Sequence, residues 1–319
     1  GWRRRSRLRS GREFLRKALA GAGALAFSGW SLQAASSPLW TGAEGDVDTE
    51  GDAAQPLRKS IMWGTVGMEG SVLDKCRAIK AAGYDGIEPN SHMNRDEVLS
   101  AVEQTGLVVS SVCNVEHWSK PLSHPDAAVR QEGIEAMIVA MEDAKAYGTD
   151  AVLLVPGVVS EEVPYDACWE RSTECIKKLV PVAEKLKVKI CLENVWNNFL
   201  LSPIEACSYI DQFKSPYVRF YFDCGNILVY GWPEQWIPIL GKRIGRIHIK
   251  EFSREIADRE GRWNGFNVKL TEGNVNWAKV MEQIRKHYRG GWLTTEQGGG
   301  ASPEELQDLC ARLDRILEM

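Results

Sequence analysis

Eight short apolar runs, each followed by a segment of helical period, predict an α/β protein built as a single-domain (β/α)8 TIM barrel. Two further observations narrow the class. The 319 residues suffice for one barrel of usual size plus an N-terminal extension. No Gly-rich dinucleotide fingerprint follows the first run and no P-loop occurs, which disfavours an open doubly wound sheet.

The units follow in order. SIMWGTV (60–66) reads as the first strand, with a helix over 71–82. YDGIEP (84–89) is the second, followed by a helix over 94–105, and LVVSSVCN (107–114) is the third. The helix over 125–147 places Ile134, Met137, Met141 and Ala144 on one face. DAVLLVPG (150–157) is the fourth strand; the helix over 166–186 aligns Cys168, Cys175, Leu179, Val182 and Leu186. VKICLEN (188–194) is the fifth, with Ser202-Pro203 opening a short helix. VRFYFDCGN (218–226) is the sixth, before a helix over 233–240, and RIGRIHIKE (243–251) is the seventh. A loop is expected over 253–273 and a helix over 275–288. GWLTTEQG (291–298) is the eighth strand, and Ser302-Pro303 starts the last helix.

The barrel domain is expected over residues 59–319. Before it, residues 1–37 combine an Arg/Lys cluster, a short apolar run and small residues, the order of an export signal. SGREFLRK resembles the twin-arginine pattern, with Gly11 in place of the first Arg. This predicts an exported, periplasmic protein, otherwise a cytoplasmic one, with no stable membrane span. Residues 38–58 are acidic and lack aromatics after Trp40, and read as a disordered linker. Eight cysteines at irregular spacing, without CxxC, read as free buried thiols. A net charge of −4 gives no footprint for nucleic acid.

Chemistry in such a barrel sits at the C-terminal ends of the strands. Four successive strands end in Glu193, Asp223, His248 and Glu296, so these side chains can converge. Three carboxylates and an imidazole suit one divalent metal ion, Mn2+ first, with Mg2+, Co2+ and Zn2+ compatible. If His248 points inward, Lys250 does too, one step higher, and Arg219 and Arg246 point toward the barrel floor without a nameable partner. Glu88 ends the second strand and is placed to bind a hydroxyl or to hold Lys250. His117 follows the third strand and can orient substrate, and Trp196 can stack on the apolar face of a ligand.

The runs LENVWNNFLLSP, YFDCGN, GWPEQWIPILGKRIGRIHIKEF, GNVNW and LTTEQGGG resemble the xylose isomerase-like sugar isomerase and epimerase superfamily. The resemblance implies that Glu193, Asp223, His248 and Glu296 are the metal ligands, and that Glu193 and Glu296 are also the catalytic acid/base pair. It implies a ketose processed through a metal-stabilised enediolate. It places Arg254, six residues beyond the His, on substrate oxygens. Two positions depart from the ketose 3-epimerase pattern: Asn226 stands where those proteins carry His, and Phe199 where they carry Glu. Asn226 is retained as a substrate contact, with a small-molecule sugar as partner and a homo-oligomer compatible. Two alternatives stay open: a lyase or hydrolase acting on 3-keto sugars or glycosides with the same metal site, and a non-catalytic sugar-binding protein. A zinc endonuclease is disfavoured, since the chain has only five His.

Overall fold

The structure, a computed structural model, describes residues 55–319; the signal-like segment and the linker up to residue 54 lie outside the described residues. Nine parallel strands form one sheet that curls into a nearly closed barrel. In chain order they are β1 (Arg58–Met62), β2 (Gly86–Glu88), β3 (Val108–Val109), β4 (Val112–Cys113), β5 (Ala151–Leu154), β6 (Lys189–Glu193), β7 (Val218–Asp223), β8 (Ile244–Ile249) and β9 (Trp292–Thr295). Their order is β3-β2-β1-β9-β8-β7-β6-β5-β4.

The count of nine against the eight expected has a local cause. The third predicted strand is broken at Ser110-Ser111. β3 pairs with β2, and β4 pairs with β5. The break still spans the seam: Ser110 donates its N–H to Ile87, Cys113 donates to Pro89, and Ser91 donates to Cys113. β3 and β4 thus form one bent stave of eight.

The main helices cover the outside: α1 (Val72–Ala82), α2 (Arg95–Thr105), α3 (Ala127–Ala146), α4 (Tyr165–Leu186), α5 (Pro203–Asp211), a one-turn α6 (Cys224–Ile227), α7 (Pro233–Leu240), α8 (Arg254–Glu260), α9 (Trp277–His287) and α10 (Pro303–Glu318). Their starts follow from capping. Ser71 forms a capping box with Asp74, Asn94 and Asp126 cap α2 and α3, and Ser202-Pro203 and Ser302-Pro303 open α5 and α10. α8 and the 3-10 turn at Arg262–Phe266 occupy the segment expected to be a loop. Its polar sequence hides a helix started by Ser253, whose hydroxyl accepts from the Ile256 N–H. Among the described residues, no helix is long and apolar enough to cross a membrane.

Strand alternation sorts each stave into two faces. Val152, Leu154, Ile190, Leu192, Phe220, Phe222, Ile247, Ile249 and Leu293 join the large core under the helices. Each such side chain contributes about 1.5–3 kcal/mol by leaving water. Inside the barrel a second cluster gathers Cys113, Ala151, Leu153, Cys191 and Tyr221, with Met62 against it. Glu193 and Asp223 are the next inward positions above Cys191 and Tyr221. The pleat therefore lifts the polar strand ends onto a packed floor. All eight cysteines are buried and free, as their spacing indicates.

Candidate active site

Glu193 ends β6, Asp223 ends β7, His248 is the penultimate residue of β8, and Glu296 follows β9 directly. His248 Nδ1 lies 2.8 Å from Glu193 Oε1, 3.1 Å from Glu296 Oε2 and 4.0 Å from Asp223 Oδ2. One ligand atom from each of the four lies within 4.8 Å of the others, and three of the four residues are buried. His248 Nε2 is 3.1 Å from Glu88 Oε1. With Nε2 donating to Glu88, Nδ1 is the nitrogen turned toward the three carboxylates; protonated it pairs with them, and on losing that proton it presents its lone pair as a metal-ligating His does.

Crowding three carboxylates in a buried site has an electrostatic cost. Burial pushes Asp223 well above the ordinary carboxyl range, with Lys250 opposing the rise and the charges of Glu296 and Glu193 adding to it. Burial likewise raises Glu193, helped by Glu296 and countered by His248. For Glu296 burial acts upward, but Lys250 and His248 outweigh it and hold the carboxyl low. Burial would lower His248, yet Glu88, Glu296 and Glu193 raise it well above its usual value. Asp223 Oδ2 and Glu296 Oε2 are buried without a hydrogen bond of acceptable geometry, although Lys250 Nζ stands 3.8 and 3.1 Å from them. Two oxygens lacking hydrogen bonds, facing one imidazole nitrogen, form a donor set that a divalent cation completes.

The six residues expected to touch substrate divide evenly. Trp196, Asn226 and Lys250 line a cavity of about 330 Å3 together with Glu296. Lys250 Nζ also sits 4.7 Å from the Phe266 ring centroid. Glu88, His117 and Arg254 do not line it. Glu88 is fully buried beneath His248: Ser111 and Tyr221 donate to its Oε2, and its Oε1 faces His248 Nε2. Arg254 turns back onto its own scaffold: Nε donates to the Leu228 carbonyl at 2.8 Å and a terminal nitrogen to Gly231 at 2.9 Å. His117 is buried, and its Nδ1 has no hydrogen-bond partner.

Burial pulls the His117 pKa down to about 4, with Glu296 opposing. An unfolded His titrates near 6.5, so the unfolded chain binds more protons between those values and the folded state loses stability as pH falls through them. The difference amounts to roughly 2–3 kcal/mol. In urea titrations at pH 7 and pH 4.5, His117→Gln should show a smaller acid loss than the parent protein by about that amount. An unchanged difference would disprove this origin.

Several site residues carry no sequence signal. Asn194 Nδ2 donates to the Asp223 carbonyl at 3.0 Å, its Oδ1 accepts from the Asp223 N–H at 2.9 Å, and its own carbonyl accepts from Asn226 Nδ2. Asp223 in turn caps α6, its Oδ1 accepting from the Asn226 N–H at 2.6 Å. Trp263 and Phe266, on the polar excursion after β8, roof the cavity with ring centroids 4.5 and 4.8 Å from Trp196. Glu251 pins that excursion: its carboxylate accepts from the N–H groups of Thr271 and Val275 and from Trp277 Nε1. On the floor, Arg246 finds the partner its sequence did not reveal, donating to Asp150 Oδ1 at 2.5 Å and to the Ser110 carbonyl at the broken stave.

A family model described as xylose isomerase-like TIM barrel matches residues 76–316. L-ribulose-5-phosphate 3-epimerase of Salmonella paratyphi B is 26% identical over 238 residues, covering 69% of this chain and 80% of the relative. The protein of that name from Escherichia coli O1:K1 is 25% identical over the same length. Among solved structures, the chain is similar to 3-keto-D-glucoside 4-epimerase of E. coli, with a TM-score of 0.69 and 16% identity over 82% of this chain and 100% of the other. It is also similar to D-psicose 3-epimerase with D-tagatose from Clostridium cellulolyticum, with a TM-score of 0.67, 17% identity and the same coverage.

Proposed function

Because the chain belongs to the xylose isomerase-like TIM barrel family, we propose that it is a divalent-metal-dependent sugar epimerase or isomerase acting on a ketose. One observation carries the proposal: three strand-end carboxylates converge on a single imidazole nitrogen beside a sugar-sized cavity. The relatives named above as sugar 3-epimerases support the same reaction class.

Glu193, Asp223, His248 and Glu296 would hold the cation, with Mn2+ or Mg2+ favoured by the oxygen-rich set. When bound, it would supply Lewis-acid stabilisation of negative charge developing on substrate oxygens. Glu193 and Glu296 then share the proton work: one removes the proton beside the carbonyl, and the other returns one to the enediolate carbon. Such acid/base catalysis contributes about 10²–10⁴-fold. Lys250 keeps Glu296 ionised and able to accept a proton. Asn226 and Trp196 bound the sugar, and the Trp196, Trp263 and Phe266 rings offer an apolar surface to its C–H face.

A second reading is favoured by that roof. With Trp118 the cavity has three indoles and one cationic side chain, Lys250, among its described lining residues. That lining suits an uncharged sugar or glycoside over a phosphate ester, and the same proton abstraction in a 3-keto glycoside would expel a β-leaving group. Incubation with Mn2+ in D2O, followed by NMR, tests both readings. Deuterium at the carbon beside the carbonyl, with an epimer or isomer appearing, supports the first, and aglycone release supports the second. Absence of exchange with free ketoses, ketose phosphates and 3-keto glycosides alike leaves only sugar binding.

A further inference from the structure

We propose that the opposite mouth of the barrel binds a small, multiply charged oxyanion, a polyphosphate or a phosphate ester. A cavity of about 870 Å3 opens at the N-terminal ends of the strands, and its lining shares no residue with the four candidate metal ligands or with the lining of the sugar-sized cavity. Its volume falls within the roughly 300–1,000 Å3 typical of small-molecule sites.

Seven cationic side chains line it against one carboxylate, Asp150. The chain as a whole carries a net charge of −4, so this concentration runs against its overall balance. Asp150 is already shared: Oδ1 accepts from Arg246, and Oδ2 accepts from Lys189 at 2.8 Å. Arg58, Arg289 and Lys187 have no carboxylate partner among the described residues. The Arg58 guanidinium stacks on Trp292, 3.8 Å from its ring centroid, which leaves its N–H edge for an acceptor. Arg289 donates only to the Tyr288 and Lys286 carbonyls. Arg219 and Lys242, which have contacts of their own, add further positive charge.

A solvated basic surface is the ordinary use of such side chains, but concavity changes the physics. Like charges facing one another across a low-dielectric bowl repel, and the same walls focus their field on any anion that enters. The planar guanidinium fork matches phosphate oxygens two at a time.

Fluorescence anisotropy of 1,3,6,8-pyrenetetrasulfonate, a tetra-anion without appreciable affinity for divalent metals, titrated with the full chain, reads the site. Saturable binding should appear and weaken about tenfold or more in the double variant Arg58→Gln/Arg289→Gln. Lys187→Asn, which suits the left-handed backbone there (φ 58°), should weaken binding without disturbing packing. Displacement by pyrophosphate or by fructose 1,6-bisphosphate, whichever acts at lower concentration, separates an inorganic anion from an ester. Failure to saturate, affinity unchanged in both variants, or displacement by a ketose with Mn2+ would each overturn the assignment.

Discussion

Glu296→Gln should abolish turnover, by about 10³-fold or more, in a protein that still folds. The substitution keeps shape and volume and removes the charge. Glu296 lies within 3.1 Å of both His248 Nδ1 and Lys250 Nζ, and those two cations hold its carboxyl low. A neutral amide there can accept no proton and offers the cation a weaker ligand. The loss should appear equally in epimer formation and in deuterium exchange, because both need the same proton transfer. Glu193→Gln, on the other flank of His248, should behave alike. Circular dichroism establishes folding, and turnover within a few-fold of the parent in a folded Glu296→Gln variant would rule out two-glutamate chemistry.

Asp223→Asn should separate stability from metal binding with opposite signs. Asp223 is fully buried, and its Oδ2 makes no hydrogen bond. Replacing a desolvated carboxylate by an amide that keeps Oδ1 on the Asn226 N–H relieves about 1–2 kcal/mol in the metal-free protein. The parent gains about 2.7 kcal/mol from a cation at a hundredfold excess over its Kd, or about 5–10 °C in melting temperature for a domain of this size. The variant should therefore melt higher than the parent in EDTA and lose most of the shift on adding Mn2+. A variant that melts lower in EDTA and retains the full Mn2+ shift would remove Asp223 from the ligand set. The sign is informative because sites built for ligands are commonly strained without them.

The four converging residues were legible because strand ends are legible. Each follows an apolar alternating run, and adjacent staves bring their ends together whatever the loops do. The same reasoning did not supply the partners of Glu88. It too ends a strand and faces inward, but its stave lets it reach under His248, and only the partners Ser111 and Tyr221 reveal that. Arg254 was placed by spacing along the chain, which fixes a backbone position and not the direction a long, flexible side chain takes. The break at Ser110-Ser111 gave no sign, since β-branched residues flank it on both sides and serine suits strand or bend. Trp263 and Phe266 lay in a polar stretch without period, so their role as a roof depended on a fold-back that no local pattern specifies.

Glu251 has a consequence for how a sugar could reach the interior. It follows β8 by two residues, and it ties the chain segment beyond the roof to the top of that stave through two main-chain amides and one indole. A clasp of that kind discourages the flap from lifting as a body. Traffic would then depend on side chains turning aside, with Trp263, 69% exposed, as the swing door in a fixed frame.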